Sequence, residues 1–350
     1  MGPIIGITGL NATDNPGPGV AVARSIRQEP TFTGRLIGLA YDALDPGLYM
    51  PGLLDEAFLI PYPSAGRDAL LERLAYIRDR TGMNVLVPNL DSELPGLCGE
   101  ASALEALGIR AFLPTADQLE ARSKARLQEM GAAFDLPVPD GEALNTPTAL
   151  TACFARYGAP IVVKSPLYGA KICHTLDEAT RAFHTLAAKW GLPILVQRFV
   201  AAEEICVCCL GDGEGGLLGA VPMKKLMITD QGKGWAGVTI AGSGVLDLAA
   251  RTIAALRWRG PCELELLRDA EGGLHICEIN PRFPAWVDLC AGAGQNLPAM
   301  AVRCALGEAV SPAAPHKAGV AFVRISLDQI VPIEALAGIT ALGERLEVSA

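Results

Sequence analysis

The chain has 350 residues, half of them hydrophobic, with 19% charged residues and a formal net charge of −9. That length allows two or three compact units with an ample buried core. No uninterrupted apolar run approaches the roughly 20 residues that span a bilayer, and no Lys/Arg-rich stripe supports binding to nucleic acid or to an anionic membrane.

No basic stretch precedes an apolar core at the N-terminus, so a secretory signal is not expected and the location reads as cytoplasmic. The ten cysteines include no CxxC pair with metal-ligand spacing, so zinc is not expected. Cys206, Cys208 and Cys209 sit in an apolar strand-like run, where Cys behaves as a small hydrophobe, and they read as reduced thiols.

The first third alternates strand-like and helix-like segments. Residues 3–8 are a short apolar run, followed by a Gly/Pro/Asn loop from Gly9 to Gly19 and a helix over 20–28. Strand-like runs follow at 34–42 and 57–63, then a helix near 67–80 and a strand over 83–90. This alternation predicts a parallel sheet covered by helices. The glycines of the first turn, with Asp42 ending the second strand, admit a dinucleotide reading. Against it, the loop is longer than GxGxxG allows, and Pro16 and Pro18 interrupt it.

From Thr115 a polar N-cap opens a helix over 115–133, which DLPVPDG must stop. A second helix, a strand over 159–165, a Gly/Pro/Tyr loop, a helix over 176–191 and a strand over 193–200 come next. Beyond these the chain reads as antiparallel β with one long helix near 245–257.

The most informative stretch is 261–282, PCELELLRDAEGGLHICEINPR. Two strand-like runs flank the turn-rich Asp269 to Gly273, which predicts a hairpin. Alternation puts Glu278 and Asn280 on one face, and Glu263 and Glu265 on one face of the preceding strand. Folding about the turn brings Glu265 close to register with Glu278. Two carboxylates and an amide oxygen make a hard oxygen set suited to magnesium, with Arg282 placed to reach a phosphoryl group. A solvated hairpin face is the bland alternative. The apolar neighbours Leu264, Leu266, Ile276 and Ile279 and the Pro281-Arg282 corner favour a packed sheet with a site.

Here the sequence resembles the ATP-grasp superfamily, in particular the branch around the carbamoyl-phosphate synthetase large chain and biotin carboxylase. The resemblance covers most of residues 1–325. It implies an α/β N-terminal domain (Rossmann-like, pre-ATP-grasp) over 1–114, followed by an α+β two-lobed ATP-grasp domain. The lobes would be 115–193 and 194–325, with an extension over 326–350. The E-I-N-P-R run, Glu278 to Arg282, is similar to the family's metal-binding signature, and Glu265 falls on its other metal ligand. ILVQRFVAAEEICV resembles the hinge strand. By that likeness Gln197 (where a carboxylate is usual) and the backbone of Arg198, Phe199 and Val200 receive adenine, and Glu204 holds the ribose. Lys164 and Lys124 match the family's phosphate-reaching lysines, the latter in Ser123-Lys124 where Asp-Lys is usual. Taken singly, each lysine reads as a surface residue; their order relative to Glu204 and Glu278 reverses that.

The lid SPLYGAK has a single glycine where relatives often carry several, and Lys171 stands as a charge in its place. Of Lys224 and Lys225 only one can face in, and Lys224 is the candidate. Trp286, four residues past Arg282, either shapes a substrate pocket or packs on a neighbouring helix. Asn11, Asp14, Asp91 and Glu93 fall where the family's first domain meets substrate. The resemblance implies ATP and Mg2+ (or Mn2+) as cofactors. It implies a small-molecule or peptide carboxylate activated as an acyl phosphate, an amine as nucleophile, and pairing as a homodimer. A thiol, hydroxyl or bicarbonate acceptor, or a nucleotide-binding module without turnover, are the alternatives.

Overall fold

In the computed structural model, residues 2–12, 16–167, 169–229 and 232–345 are described. The N-terminal strands β1 (Ile4–Ile7), β2 (Arg35–Ala40), β3 (Glu56–Leu59) and β4 (Val85–Val87) pair in parallel in the order β3-β2-β1-β4. Their residues are nearly all buried, as in a parallel sheet screened from water on both faces. Helices Pro18–Arg27 and Arg67–Thr81 make the connections, the second ending on Gly82 in the left-handed conformation that glycine adopts without strain. The strand order reverses direction between β1 and β4, and the loops after these two strands carry Asn11, Asn89 and Asp91.

The chain divides into two units, residues 1–116, 207–263 and 280–350 in one and 117–206 with 264–279 in the other. The second unit holds a sheet of β5 (Gly141–Leu144), β6 (Ile161–Lys164), β7 (Ala170–Cys173) and β8 (Ile194–Arg198), antiparallel in the order β5-β8-β6-β7. Alternation sorts its faces. Ile161, Val163, Ile194 and Val196 enter a core with Leu150, Cys153, Phe183 and Leu186 from helices Leu150–Tyr157 and Leu176–Trp190. Lys164 and Gln197 therefore belong to the opposite face.

The remaining strands are β9 (Ala202–Asp212), β10 (Leu217–Ile228), β11 (Gly234–Thr239), β12 (Arg259–Asp269), β13 (Leu274–Asn280) and β14 (Ala321–Val323). They form a six-stranded sheet in the order β13-β12-β9-β10-β11-β14. The hairpin turn closes where expected: Asp269 N–H donates to Gly273 O at 3.0 Å and Gly272 N–H to Asp269 O at 3.1 Å. A short strand, β15 (Glu344–Arg345), adds antiparallel to β3.

Three departures from the sequence reading have physical causes. The helix expected over 115–133 is broken into Ala116–Ala121 and Leu127–Phe134, because Ser123 is extended (ψ 144°) and Lys124–Arg126 form a 3-10 turn. Strand β5 precedes the expected second helix; its sequence GEAL contains no β-branched or aromatic residue to announce it. Helices Asp288–Gly292, Leu297–Ala305 and Ile333–Leu342 lie where only β-structure and one helix were expected. The second of these carried a readable signal, since Asn296 Oδ1 caps Ala299 N–H at 3.3 Å and Pro298 sits in the first turn.

Helix Leu176–Trp190 is capped reciprocally: Thr175 Oγ1 accepts Glu178 N–H at 3.2 Å, and Glu178 Oε2 accepts His174 N–H at 2.7 Å. Thr175→Ala should lower stability by about 1 kcal/mol, measured as a shift of the urea midpoint at unchanged m-value, whereas Thr175→Ser should recover most of it.

Candidate active site

Charged groups of the lysine-bearing turn, the lid strand and the hairpin meet in the second unit. Lys124 Nζ lies 3.1 Å from Glu278 Oε1 and also donates to the lid carbonyl of Leu167 at 3.0 Å. The break at Ser123 makes this possible, because it turns Lys124 out of the helix on which it was expected. Lys164 is only 7% exposed and donates to Gln197 Oε1 at 2.9 Å. A neutral amide satisfies a hydrogen bond of the ammonium without neutralising it, so the face keeps its positive charge for an anion. Lys124, Lys164 and Gln197 line one recess with Gly141, Ala143 and Leu195, of about 230 Å³.

On the hairpin, Glu278 is held above the ordinary carboxylate range, first by burial and then by the negative charge of Glu265, with Lys124 and Lys164 opposing. Cys277, next to Glu278 on β13, is also pushed up, mainly by burial. Among the described residues no group of three or more His, Cys, Asp or Glu side chains has the geometry of a metal cluster. The donor set on offer is the coupled pair Glu265 and Glu278, with the Asn280 amide two residues along β13. Hard oxygens that repel one another suit a divalent magnesium-type cation, which would relieve that repulsion.

A second constellation lies in the first unit and is organised by Glu263, a residue the sequence reading left without a role. Its buried carboxylate accepts Trp286 Nε1 at 2.7 Å, Arg282 Nη1 at 3.1 Å and Asn280 Nδ2 at 3.3 Å. The signal was present: a glutamate between Cys262 and Leu264 in an apolar strand has to be partnered if it stays charged. Asp91 Oδ2 takes Arg282 Nε at 3.2 Å. Trp286 is thus buried with its indole tied to a carboxylate.

Other expected residues fall as follows. Glu93 is 2% exposed. Its carboxylate accepts Thr8 Oγ1, Tyr41 Oη at 2.5 Å, and the N–H groups of Asn89 at 2.7 Å and Leu90 at 2.9 Å, so it pins the loop after β4. Burial holds its pKa up despite these donors. The N–H of Arg198 donates to Asp140 O at 2.8 Å, which leaves its carbonyl as the group to meet adenine; Phe199 and Val200 lie in the link between β8 and β9. Glu204 and Lys171 are exposed, on β9 and β7. Lys224 is half-buried on β10 in the first unit, while its neighbour Lys225 donates to Gly232 O at 3.4 Å. Asn11 Oδ1 is buried without a partner among the described residues, and Asp14 lies outside them.

Residues 192–326 match a family model described as ATP-grasp in the biosynthetic pathway with Ter operon. Solved structures with the same fold overlay on most of the chain. The biotin carboxylase domain of Hydrogenobacter thermophilus 2-oxoglutarate carboxylase gives a TM-score of 0.68 at 19% identity, covering 88% of this chain and 70% of that one. Over residues 192–326 the chain is similar to the ATP-grasp family. The chain is 31% identical over 215 residues to phosphoribosylamine–glycine ligase of Synechocystis, covering 55% of this chain and 51% of the relative. It is 25% identical over 173 residues to D-alanine–D-alanine ligase of Actinobacillus succinogenes, covering 45% and 56%. The chain spans about half the length of the curated relatives it matches. No described helix is long and apolar enough to cross a membrane.

The raised Glu278 has a consequence for pH. A carboxyl whose folded pKa exceeds its unfolded value favours the folded state at low pH, and that advantage is lost as pH rises through the folded value. Without divalent cations, the contribution of Glu278 to stability should therefore fall as pH rises through its raised folded value, and Glu278→Gln should abolish that contribution. Added Mg2+ should raise the melting temperature more at neutral than at acid pH in the native protein, and much less in the variant. A cation effect independent of pH and of Glu278 would remove the metal from this pair.

Proposed function

We propose that this chain is an ADP-forming carboxylate–amine ligase that uses ATP and magnesium. The observation that carries the reading is the convergence of Lys124 and Lys164 with the Glu265–Glu278 pair. It is supported by relatives named phosphoribosylamine–glycine ligase and D-alanine–D-alanine ligase, and by the fold neighbour solved with MgADP and bicarbonate. The domain plan is a Rossmann-like domain over 1–114, lobes over 115–193 and 194–325, and an extension over 326–350. The parallel order β3-β2-β1-β4 supports its first member. A cytoplasmic location and a homodimer complete the reading, the latter supported by that same neighbour, which was solved as a dimer.

Lys164 and Lys124 bind the ATP phosphates, with Lys171 adding charge at the lid and Lys224 a further cation. Gln197 and the backbone of Arg198, Phe199 and Val200 receive adenine, and Glu204 the ribose. Magnesium held by Glu265, Glu278 and Asn280 would neutralise phosphate charge during transfer. The substrate carboxylate attacks the γ-phosphorus, the bond to the β-phosphate oxygen breaks, and ADP leaves. Arg282 then faces an acyl phosphate, whose charge its guanidinium matches. The amine attacks the acyl carbon and phosphate leaves. Protein groups position reactants and balance charge, so no side-chain nucleophile is required.

Incubation with ATP, Mg2+, hydroxylamine and a panel of small carboxylates, the protein amino acids among them, should yield ADP and a hydroxamate. Glu278→Gln should lower the rate at least about a hundredfold. Formation of AMP and pyrophosphate, or no carboxylate-dependent turnover, would overturn the reading.

A further inference from the structure

Arg282 is flanked by two carboxylates that differ in what else they hold. Glu263 is the inner one, with its side chain 8% exposed, and both its oxygens are committed: Oε1 to Trp286, Oε2 to Arg282 and Asn280. It cannot turn towards a ligand without releasing three groups. Asp91 is the outer one, with its side chain 26% exposed, and its Oδ2 holds Arg282 Nε. Its Oδ1 has no partner among the described residues. Since Glu263 already fixes the guanidinium, a second carboxylate is not needed to orient it.

The position of Asp91 is itself built. It lies on the turn after β4, at the carboxyl edge of the parallel sheet beside the reversal of strand order, where α/β sheets place ligands. Glu93 ties the backbone of Asn89 and Leu90 to Thr8 and Tyr41, so the turn that presents Asp91 is rigid.

We propose that Asp91 receives the amine nucleophile: its carboxylate binds the incoming ammonium group and takes the proton that group must lose before it can attack. The assignment rests on the ligase reading and names the nucleophile's class, a primary amine that is cationic in solution. Transfer of one ammonium proton to Asp91 Oδ1 leaves a neutral amine. Its nitrogen lone pair forms the C–N bond at the acyl carbon, and the C–O bond to phosphate breaks. The remaining surplus proton on nitrogen leaves with the phosphate, and the Asp91 proton returns to solvent. Arg282, bonded to the same aspartate, sets the acyl phosphate beside the nucleophile.

The test compares two nucleophiles on the same acyl phosphate. Hydroxylamine is uncharged at neutral pH and needs neither an ammonium site nor a base; methylamine and the protein amino acids arrive protonated. With the carboxylate that gives hydroxamate in the native protein, Asp91→Asn should lower amide formation about a hundredfold or more, and hydroxamate formation less than about threefold. Asp91→Glu should restore part of the amide rate. Glu263→Gln, which loosens Arg282, should lower both products together. Parallel loss of both products in Asp91→Asn would reduce Asp91 to a support for Arg282 and overturn the assignment. So would an unaltered amide rate, or hydroxamate without amide from every amine in the native protein. Absence of hydroxamate from the native protein would instead sink the ligase reading, and this assignment with it.

Discussion

Two carboxylates of like charge on one hairpin, partly withdrawn from water, repel one another and call for cations. Glu265 and Glu278 are in that position, and the pKa of Glu278 is raised first by burial and then by the charge of Glu265. The second unit is arranged around it. The helix expected to run through Ser123 breaks there, and the break delivers Lys124 to Glu278. Strand alternation puts Lys164 on the face away from the core, where its partner is an amide and its charge is felt at Glu278. Two fixed ammonium groups offset the repulsion without abolishing it. The residual misfit is what a divalent cation and a polyphosphate, bound together, would resolve.

The first unit treats its carboxylates differently. Glu263 and Glu265 stand two residues apart on β12, yet Glu263 is saturated by an indole, a guanidinium and an amide. A buried carboxylate with such donors is a scaffold, because removing it would leave Arg282 and Trp286 without their anchor. Glu93 repeats the device, fixing the turn after β4 through two backbone N–H groups and two hydroxyls. In both cases burial has converted a residue of catalytic type into one that holds others in place.

Much of this was legible in the residues, and what was not has a common cause. The βα alternation, the hairpin with its Asp269–Gly273 turn and the cluster of charged residues at E-I-N-P-R are local patterns, and local patterns survive folding. The extended Ser123 was hidden because no proline or glycine marks the break, and β5 because GEAL has no β-branched or aromatic residue. Glu93 and Asp91 looked alike in Asn89-Leu90-Asp91-Ser92-Glu93, two acids in one loop. Only their partners tell them apart: Tyr41 and Thr8 from other strands claim Glu93, and Arg282 from the far end of the chain claims Asp91.

Burial then divides the acidic residues by task. The fully enclosed pair, Glu93 and Glu263, is spent on donors of the protein itself. The half-buried Glu265 and Glu278 repel one another and so favour a cation. Asp91 is more open than Glu263, beside the same guanidinium, and has an oxygen to spare for a donor from outside. A residue's chemistry in this chain is set less by its type than by how many of its hydrogen bonds the fold has already made. That ordering is why Asp91, and not the better-ordered Glu263 on the other side of Arg282, is the carboxylate that can trade partners during a reaction.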